Sequence, residues 1–575
     1  MSPRVRIAAT RWLPSSQAHG KAKSRRPSSA VRPTLLVIAV SVIAVLLVAA
    51  FFGGARPWTL SGGGGDASWV SAGARVVINA VSGRRGADHV GTAAEPTNRF
   101  LGGLLSPDFD DSSCLSRYRA GLYRRQSPHA VSSHLVTSLR RYESIHRRCG
   151  PGTSAYERAV ASLRSPSNTS AAAAAPSECR YLVWTPLEGL GNRMLTLTSA
   201  FLYALLTDRV LLFHHPGDDL KDLFCEPFPG STWTLPEGDF PFSGMQGFNA
   251  RTRESLGNAL RRGEGARGPP PPWMYVHLRH DYSRNANDPR FFCDDGQDAL
   301  RRVGWVVLLS DNYFLPGLFM IPRFERELSR MFPRRDAAFH HVGRYLLHPS
   351  NTVWGMVTRY HTSYLSCAEE RVGIQVRSFY WARISTDELY GQIMSCAHGE
   401  SILPRVQEED PSNATAGELP AAAARRKAVL VVSLHGAYSE RIRDLYYEHG
   451  AAGGDSVSVF QPTHLDRQRS GEQLHNQKAL AEMMLLSFSD VVITSAASTF
   501  GYVGHGLAGL RPWVLMSPLD KKVPDPPCRL APTIEPCFHN PPHYDCRTRA
   551  KGDTGKMVRH VRHCVDFENG VQLVE

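Results

Sequence analysis

Residues 179–193, CRYLVWTPLEGLGNR, point to an α/β domain. Residues 179–184 form a short apolar run of strand length. Gly189 and Gly191 permit a sharp turn, and Met194, Leu197 and Phe201 then recur at helical spacing. A helix entered through such a turn leaves its first N–H groups unpaired and aimed out of the turn, where an anion can sit. Arg193 adds a charged fork suited to phosphate or to a sugar hydroxyl, and Asn192 a polar neighbour. Gly-x-Gly turns also serve plain strand-to-helix packing, so the turn alone does not define a ligand.

The same alternation recurs downstream. Residues 209–213, 305–310 and 372–376 read as further strands of a first α/β domain, residues 177–405. A polar Pro/Ala-rich linker, residues 406–426, separates it from a second, residues 427–525. There, strands at 429–434, 457–460, 491–494 and 513–516 alternate with helices at 440–448, around Leu480, Met483 and Met484, and from Phe500 onward. Strand–helix alternation predicts parallel sheets with helices on both faces. Ligands bind such sheets beyond the carboxyl ends of the strands. That rule selects residues 189–193, Asp311, Gln375, Arg377 and residues 495–500, with Ser495, Ser498 and Thr499 offering hydroxyls and loop N–H groups for phosphate or for a helix cap. Polar strand ends in both domains suggest a two-domain nucleotide-sugar transferase.

The charge of +13 does not signal nucleic-acid binding. Arg4, Arg6, Arg11, Lys21, Lys23, Arg25, Arg26 and Arg32 precede an uncharged apolar run, residues 34–55, and without them the balance is about +5. Those 22 residues match a bilayer core of roughly 30 Å. The basic tail, residues 1–33, predicts a cytosolic N-terminus and a type II anchor, with a cleaved leader as the alternative. Residues 56–176 then read as a stem with a helical segment in which Leu135, Leu139, Tyr142 and Ile145 recur and Gly150 stops the helix. A luminal location agrees with the sequons at Asn168 and Asn413 and with 11 cysteines lacking metal-like spacing. Four of them, Cys528, Cys537, Cys546 and Cys564, crowd the C-terminal segment, residues 526–575, as if to form disulfides, and the odd total leaves a thiol over.

Collinear motifs sharpen this reading. LRRYESIHRRCGPGT (139–153), VWTPLEGLGNRMLTLTSAFLYALLTDRVLL (183–212), VHLRHDY (276–282), VVLLSDNYF (306–314), RVGIQVRSF (371–379), LLSFSDVVITSAASTFGYVGHGLAGLRPWVL (485–515) and EPCFHNPPHYDC (535–546) run in order. Across residues 100–575 the chain resembles the plant fucosyltransferases that add fucose to galactose of xyloglucan and arabinogalactan. The resemblance implies a GT-B-like architecture of two Rossmann-like domains facing a cleft, the first on the acceptor side. It implies a Golgi membrane location with a luminal catalytic domain, GDP-L-fucose as donor, inversion at the fucose carbon and no metal cofactor. Asp108-Phe-Asp110 has the spacing of a metal-binding pair but precedes the first strand. The implied partners are a galactose-terminated glycan and the Golgi membrane through residues 34–55; homodimerisation is left open, and no nucleic acid is expected.

Residue by residue, the resemblance makes Arg377 the partner of the pyrophosphate and Asp311 the first candidate for the base that deprotonates the acceptor. Donor contacts are expected from Gly189, Gly191, Asn192, Arg193, Gln375, His475, Asn476, Ser495, Ser498, Thr499 and Phe500, with Gln461 and Lys478 near the nucleotide. His277 and Arg279 are expected on the acceptor side. Ala497 departs from the family, whose usual residue there is Trp. That departure keeps an inactive glycan-binding relative open as an alternative; a fucosyltransferase with another glycan or protein acceptor is the other.

Overall fold

The computed structural model of the protein describes residues 99–164, 178–214, 220–236, 238, 245–263, 270–379, 382–407, 424–519 and 521–575. All of them fall in one compact unit, Gly91–Glu575. The expected anchor at 34–55, the basic tail, the sequons at Asn168 and Asn413, and most of the 406–426 linker lie outside the described residues. Among the described residues no helix is long and apolar enough to cross a membrane.

Two sheets organise the chain. Strands β1 (Arg180–Pro186), β2 (Arg209–Phe213), β3 (Trp273–Leu278) and β4 (Trp305–Ser310) pair in the order β2-β1-β4-β3, all parallel. Strands β5 (Glu370–Val376), β6 (Arg426–Ser433), β7 (Ser456–Phe460), β8 (Val491–Ser495), β9 (Trp513–Leu515) and β10 (Cys528–Leu530) form the second sheet, ordered β10-β9-β8-β5-β6-β7. Its pairs are parallel except for the edge pair β9–β10. A short antiparallel pair, β11 (Val561–His563) and β12 (Val571–Leu573), ends the chain.

One expected division fails. Residues 372–376, assigned by sequence to the first domain, are the interior of β5, which pairs with β6 and β8 at the centre of the second sheet. A short apolar run shows that a strand is buried but not which neighbour it pairs with.

The helices that shape the site are α1 (Ser133–Cys149), α2 (Leu190–Thr207), α3 (Thr386–Gly399), α4 (Ala437–Glu448), α5 (Gln473–Leu486) and α6 (Thr499–Ala508). In α1, Ser132 accepts the Leu135 N–H at 3.0 Å, Leu135, Leu139 and Tyr142 are buried, and Gly150 caps the end. The period-2 alternation of β1 sorts its side chains to two cores: Leu182 and Trp184 face one, Tyr181 and Val183 the other. The first of these cores continues through α2, α5 and α6 to Ala428, Leu430 and Val432 of β6. A single apolar core therefore joins the two sheets and fixes their carboxyl ends relative to each other.

Five disulfides brace this body: Cys114–Cys225, Cys149–Cys179, Cys293–Cys546, Cys396–Cys528 and Cys537–Cys564. The C-terminal cysteines do not pair only among themselves. Cys528 reaches back to α3, and Cys546 reaches the segment before β4. Cys367 is the free, exposed thiol among the described residues.

Candidate active site

A cavity of about 340 Å³ lies at the carboxyl ends of the strands of both sheets. Residues 188–192 follow β1, residues 375–377 end β5 and follow it, residues 432–434 end β6 and follow it, and residues 497–500 follow β8. The expected residues Gly189, Gly191, Asn192, Gln375, Arg377, His475, Asn476, Ser498, Thr499 and Phe500 all line it, as does Lys478.

Helices α2 and α6 both begin at this cavity. Their N-cap residues, Gly189 and Ser498, make no side-chain capping bond. Two sets of first-turn N–H groups are thus left to the cavity, and the positive ends of both helices meet there. The turns touch: Thr499 donates its hydroxyl to Asn192 Oδ1 at 2.7 Å. Gly191 permits the approach, because a Cβ there would stand 2.8 Å from Thr499 Oγ1 and 3.0 Å from the Phe500 nitrogen.

Arg377 is half-buried beside them. Its backbone N–H donates to Ser495 Oγ at 2.9 Å and its Nη2 to Gln468 Oε1 at 3.1 Å. Burial lowers its pKa from the usual arginine value. The buried Glu482, also on the cavity wall, accepts the Thr463 hydroxyl, and burial pushes its carboxyl up to about 7.

Three expected residues, Ser495, Arg193 and Gln461, stand behind the lining. Ser495 is buried and acts on the cavity through Arg377. Arg193 folds back, its Nε donating to the Glu188 carbonyl at 2.8 Å, and does not line the cavity. Gln375 is a lining residue whose amide oxygen is taken by the Thr494 hydroxyl at 2.8 Å. The Asn476 amide donates to the Ser470 carbonyl, and His475 Nε2 accepts the Arg469 N–H. Gln461 does not line the cavity. Its amide donates to the carbonyls of Ser433 and Thr463 and so holds the loop after β7.

The first-sheet strand ends differ more from expectation. His277 is buried, with Tyr275 donating to Nδ1 and Nε2 donating to Asp281, each at 2.7 Å, so it does not reach the cavity. This bond holds the Asp281 carboxyl at about 2. Arg279 reaches Glu188 Oε1 at 3.3 Å, at the rim. Asp311 is 7% exposed in its side chain. Its Oδ1 accepts the His280 N–H at 3.0 Å and Asn312 Nδ2 at 2.8 Å, and its Oδ2 accepts His280 Nδ1 at 2.8 Å.

Gln468, Glu482, Thr463 and His539 also line the cavity and were missed. The one available signal was Glu482, a carboxylate amid the apolar stretch of α5. Among the described residues, Asp108 and Asp110 are exposed, bonded to Arg147 and Ser112. The cluster of Cys537, Cys564 and Asp566 has its sulfurs committed to a disulfide.

Two joined, mainly parallel sheets with a cavity at their carboxyl ends, where two helix N-termini and Arg377 meet, define an α/β protein whose cavity suits an anion. Residues 76–547 match the family model described as xyloglucan fucosyltransferase, and the chain belongs to that family. A galactoside 2-alpha-L-fucosyltransferase of Pisum sativum is 45% identical over 491 residues, 85% of this chain and 84% of that protein. The Arabidopsis thaliana galactoside 2-alpha-L-fucosyltransferase is 45% identical over 483 residues, 83% of each. A solved structure of an Arabidopsis thaliana FUT1 variant in complex with GDP superposes with a TM-score of 0.75 at 44% identity, covering 83% of this chain and all of that one.

Proposed function

We propose that this protein transfers L-fucose from GDP-L-fucose to the 2-hydroxyl of a terminal galactose on a cell-wall glycan such as xyloglucan or arabinogalactan, with inversion at the fucose carbon. The observation that carries this reading is the convergence of the α2 and α6 N-termini and Arg377 on one cavity. As the fucose–phosphate bond breaks, negative charge grows on the β-phosphate. Fixed N–H groups and a guanidinium stabilise that growing charge at no reorganisation cost. This charge stabilisation is supplied by side chains and backbone, so the reading includes no metal.

The same reading gives the chain a GT-B-like arrangement, with the first sheet on the acceptor side and the second on the donor side. It anchors the protein in the Golgi membrane through residues 34–55, with the body luminal and glycosylated at Asn168 and Asn413. The cysteine content fits an oxidising compartment.

The test is incubation of the purified full-length protein with GDP-L-fucose and galactose-ended oligosaccharides, with linkage analysis of the product. Fucose on the galactose 2-position is the expected outcome. Product on another position or another acceptor would move the assignment, and glycan binding with no turnover would favour a binding relative.

A further inference from the structure

We infer that His280, held by Asp311, is the general base that takes the proton from the acceptor hydroxyl; the inference rests on the fucosyl-transfer reading above. Inverting transfer needs a proton acceptor on the face of the fucose carbon opposite the departing phosphate. In this cavity the phosphate end is built from the α2 and α6 N-termini and Arg377, so the base belongs beyond the β1 end of the first sheet, where β4 and then β3 follow in the sheet order. The carboxyl ends of β3 and β4 supply it.

His280 follows β3, and its imidazole is 43% exposed. Asp311 follows β4 and receives two bonds from the same residue, one from the His280 backbone N–H and one from Nδ1. An ionised carboxylate only accepts, so Nδ1 carries the hydrogen and Nε2 presents its lone pair outward. The ring is thereby fixed in both orientation and tautomer. Asp311 itself has both oxygens occupied, by His280 and Asn312, and Arg279 Nε lies 3.6 Å away. It is the positioning residue, not the base.

Neither His280 nor Asp311 lines the cavity itself; the pair is tied to its wall through Asn192 and through Arg279. Asn192 lines the cavity, and its amide approaches the Asp311 carbonyl at 3.4 Å. Arg279 spans from Asp311 to Glu188 at the rim. The charged groups around His280 are Asp311 from β4, Arg279 and Asp281 from its own segment, and Glu188 through Arg279; His539 approaches Asp311 from the C-terminal segment. The hydrogen bond to Asp311 raises the His280 pKa above 6.5.

The step balances. The acceptor O2–H proton passes to His280 Nε2 as O2 bonds to the fucose C1. The bond from C1 to the β-phosphate oxygen breaks, and its electron pair leaves with GDP.

His280→Gln and His280→Ala are compared with the wild-type protein in three measurements: GDP affinity by calorimetry, kcat, and the pH profile of kcat/KM. Unchanged GDP affinity, a kcat loss of about 10²–10⁴-fold, disappearance of the acidic limb, and partial rescue of His280→Ala by free imidazole are expected. A His280→Gln protein that keeps its acidic limb and a kcat within a few-fold of wild type would overturn the assignment. Wild-type protein that binds GDP yet transfers no fucose would instead overturn the reading beneath it.

Discussion

The Thr499 hydroxyl donates to Asn192 Oδ1 at 2.7 Å, and that bond ties the first turn of α2 to the first turn of α6. The two turns come from different sheets, so the anion seat is shared between them. Gly191 is the residue that allows the contact. A methyl group there meets Thr499 Oγ1 at 2.8 Å and backbone atoms of Thr499 and Phe500 at 3.0 Å, and backbone yields at a cost. Gly191→Ala is expected to lose about 1–3 kcal/mol of stability and at least tenfold in GDP affinity. Calorimetry and thermal melts measure both, and a variant with native GDP affinity would show that the contact does not shape the seat.

Arg377 carries a second prediction. Its guanidinium faces the cavity and its backbone is pinned by Ser495. Arg377→Ala is expected to lower kcat by about 10²–10³-fold or more, the scale seen when one preorganised donor is removed. Arg377→Lys should recover little, because an ammonium lacks the planar fork. Ser495→Ala should give a smaller loss, since it frees the Arg377 backbone without removing the charge. Steady-state kinetics on the three variants rank them, and equal activity of Arg377→Lys and wild type would refute the forked contact.

The turns at 189–192 and 498–500 were legible because a strand, a glycine or small polar loop and a helix are local patterns. Side-chain direction was not. Arg193 and His277 stand in the right motifs but turn to Glu188 and to Tyr275 and Asp281, because their neighbours come from tertiary packing. β5 went to the wrong sheet for the same reason: pairing order is not written in an apolar run. Gln468 and Thr463 lie on the irregular stretch between β7 and α5, where no periodicity marks a role. The motif VHLRHDY holds two histidines, and only the structure shows that His280 is the exposed one and His277 the buried one.

The Cys293–Cys546 bond closes the longest loop of the five, with a sequence separation of 253, and holds the C-terminal segment on the first sheet's body. That segment supplies His539 to the cavity wall and Asn540, whose amide bonds Asn312 beside Asp311 at 3.0 Å. Replacing both cysteines by Ala is expected to cost about 2–5 kcal/mol and to weaken activity by loosening the β4 end. Denaturant titration and kinetics on the double variant check the pair of effects; loss of stability with full activity would separate the bond from the site.

Stability should pass through a maximum in mildly acidic solution. Burial raises the carboxyls of Glu535 to about 8, with Tyr313 donating at 2.6 Å, and of Glu482 and Asp288 to about 7. Their unperturbed values are 4.5, 4.5 and 3.8, so between those values and 7–8 the unfolded chain has released protons that the folded chain retains, and stability falls as pH rises. Burial acts oppositely on His146, His341 and His361, lowered to about 4, and on His505, lowered to about 3. Below 6.5 the unfolded chain protonates these rings while the folded chain does not, so stability falls as pH falls. Above about 6.5 only the carboxyls act, whereas between about 4.5 and 6.5 the four histidines outweigh the three carboxyls, which places the maximum near 6.5. Melting temperatures measured from pH 4 to 8.5 should trace that dome. Glu535→Gln should flatten its alkaline side, because an amide keeps the Tyr313 contact without a proton to lose, and an unaltered alkaline slope in that variant would remove Glu535 from the account.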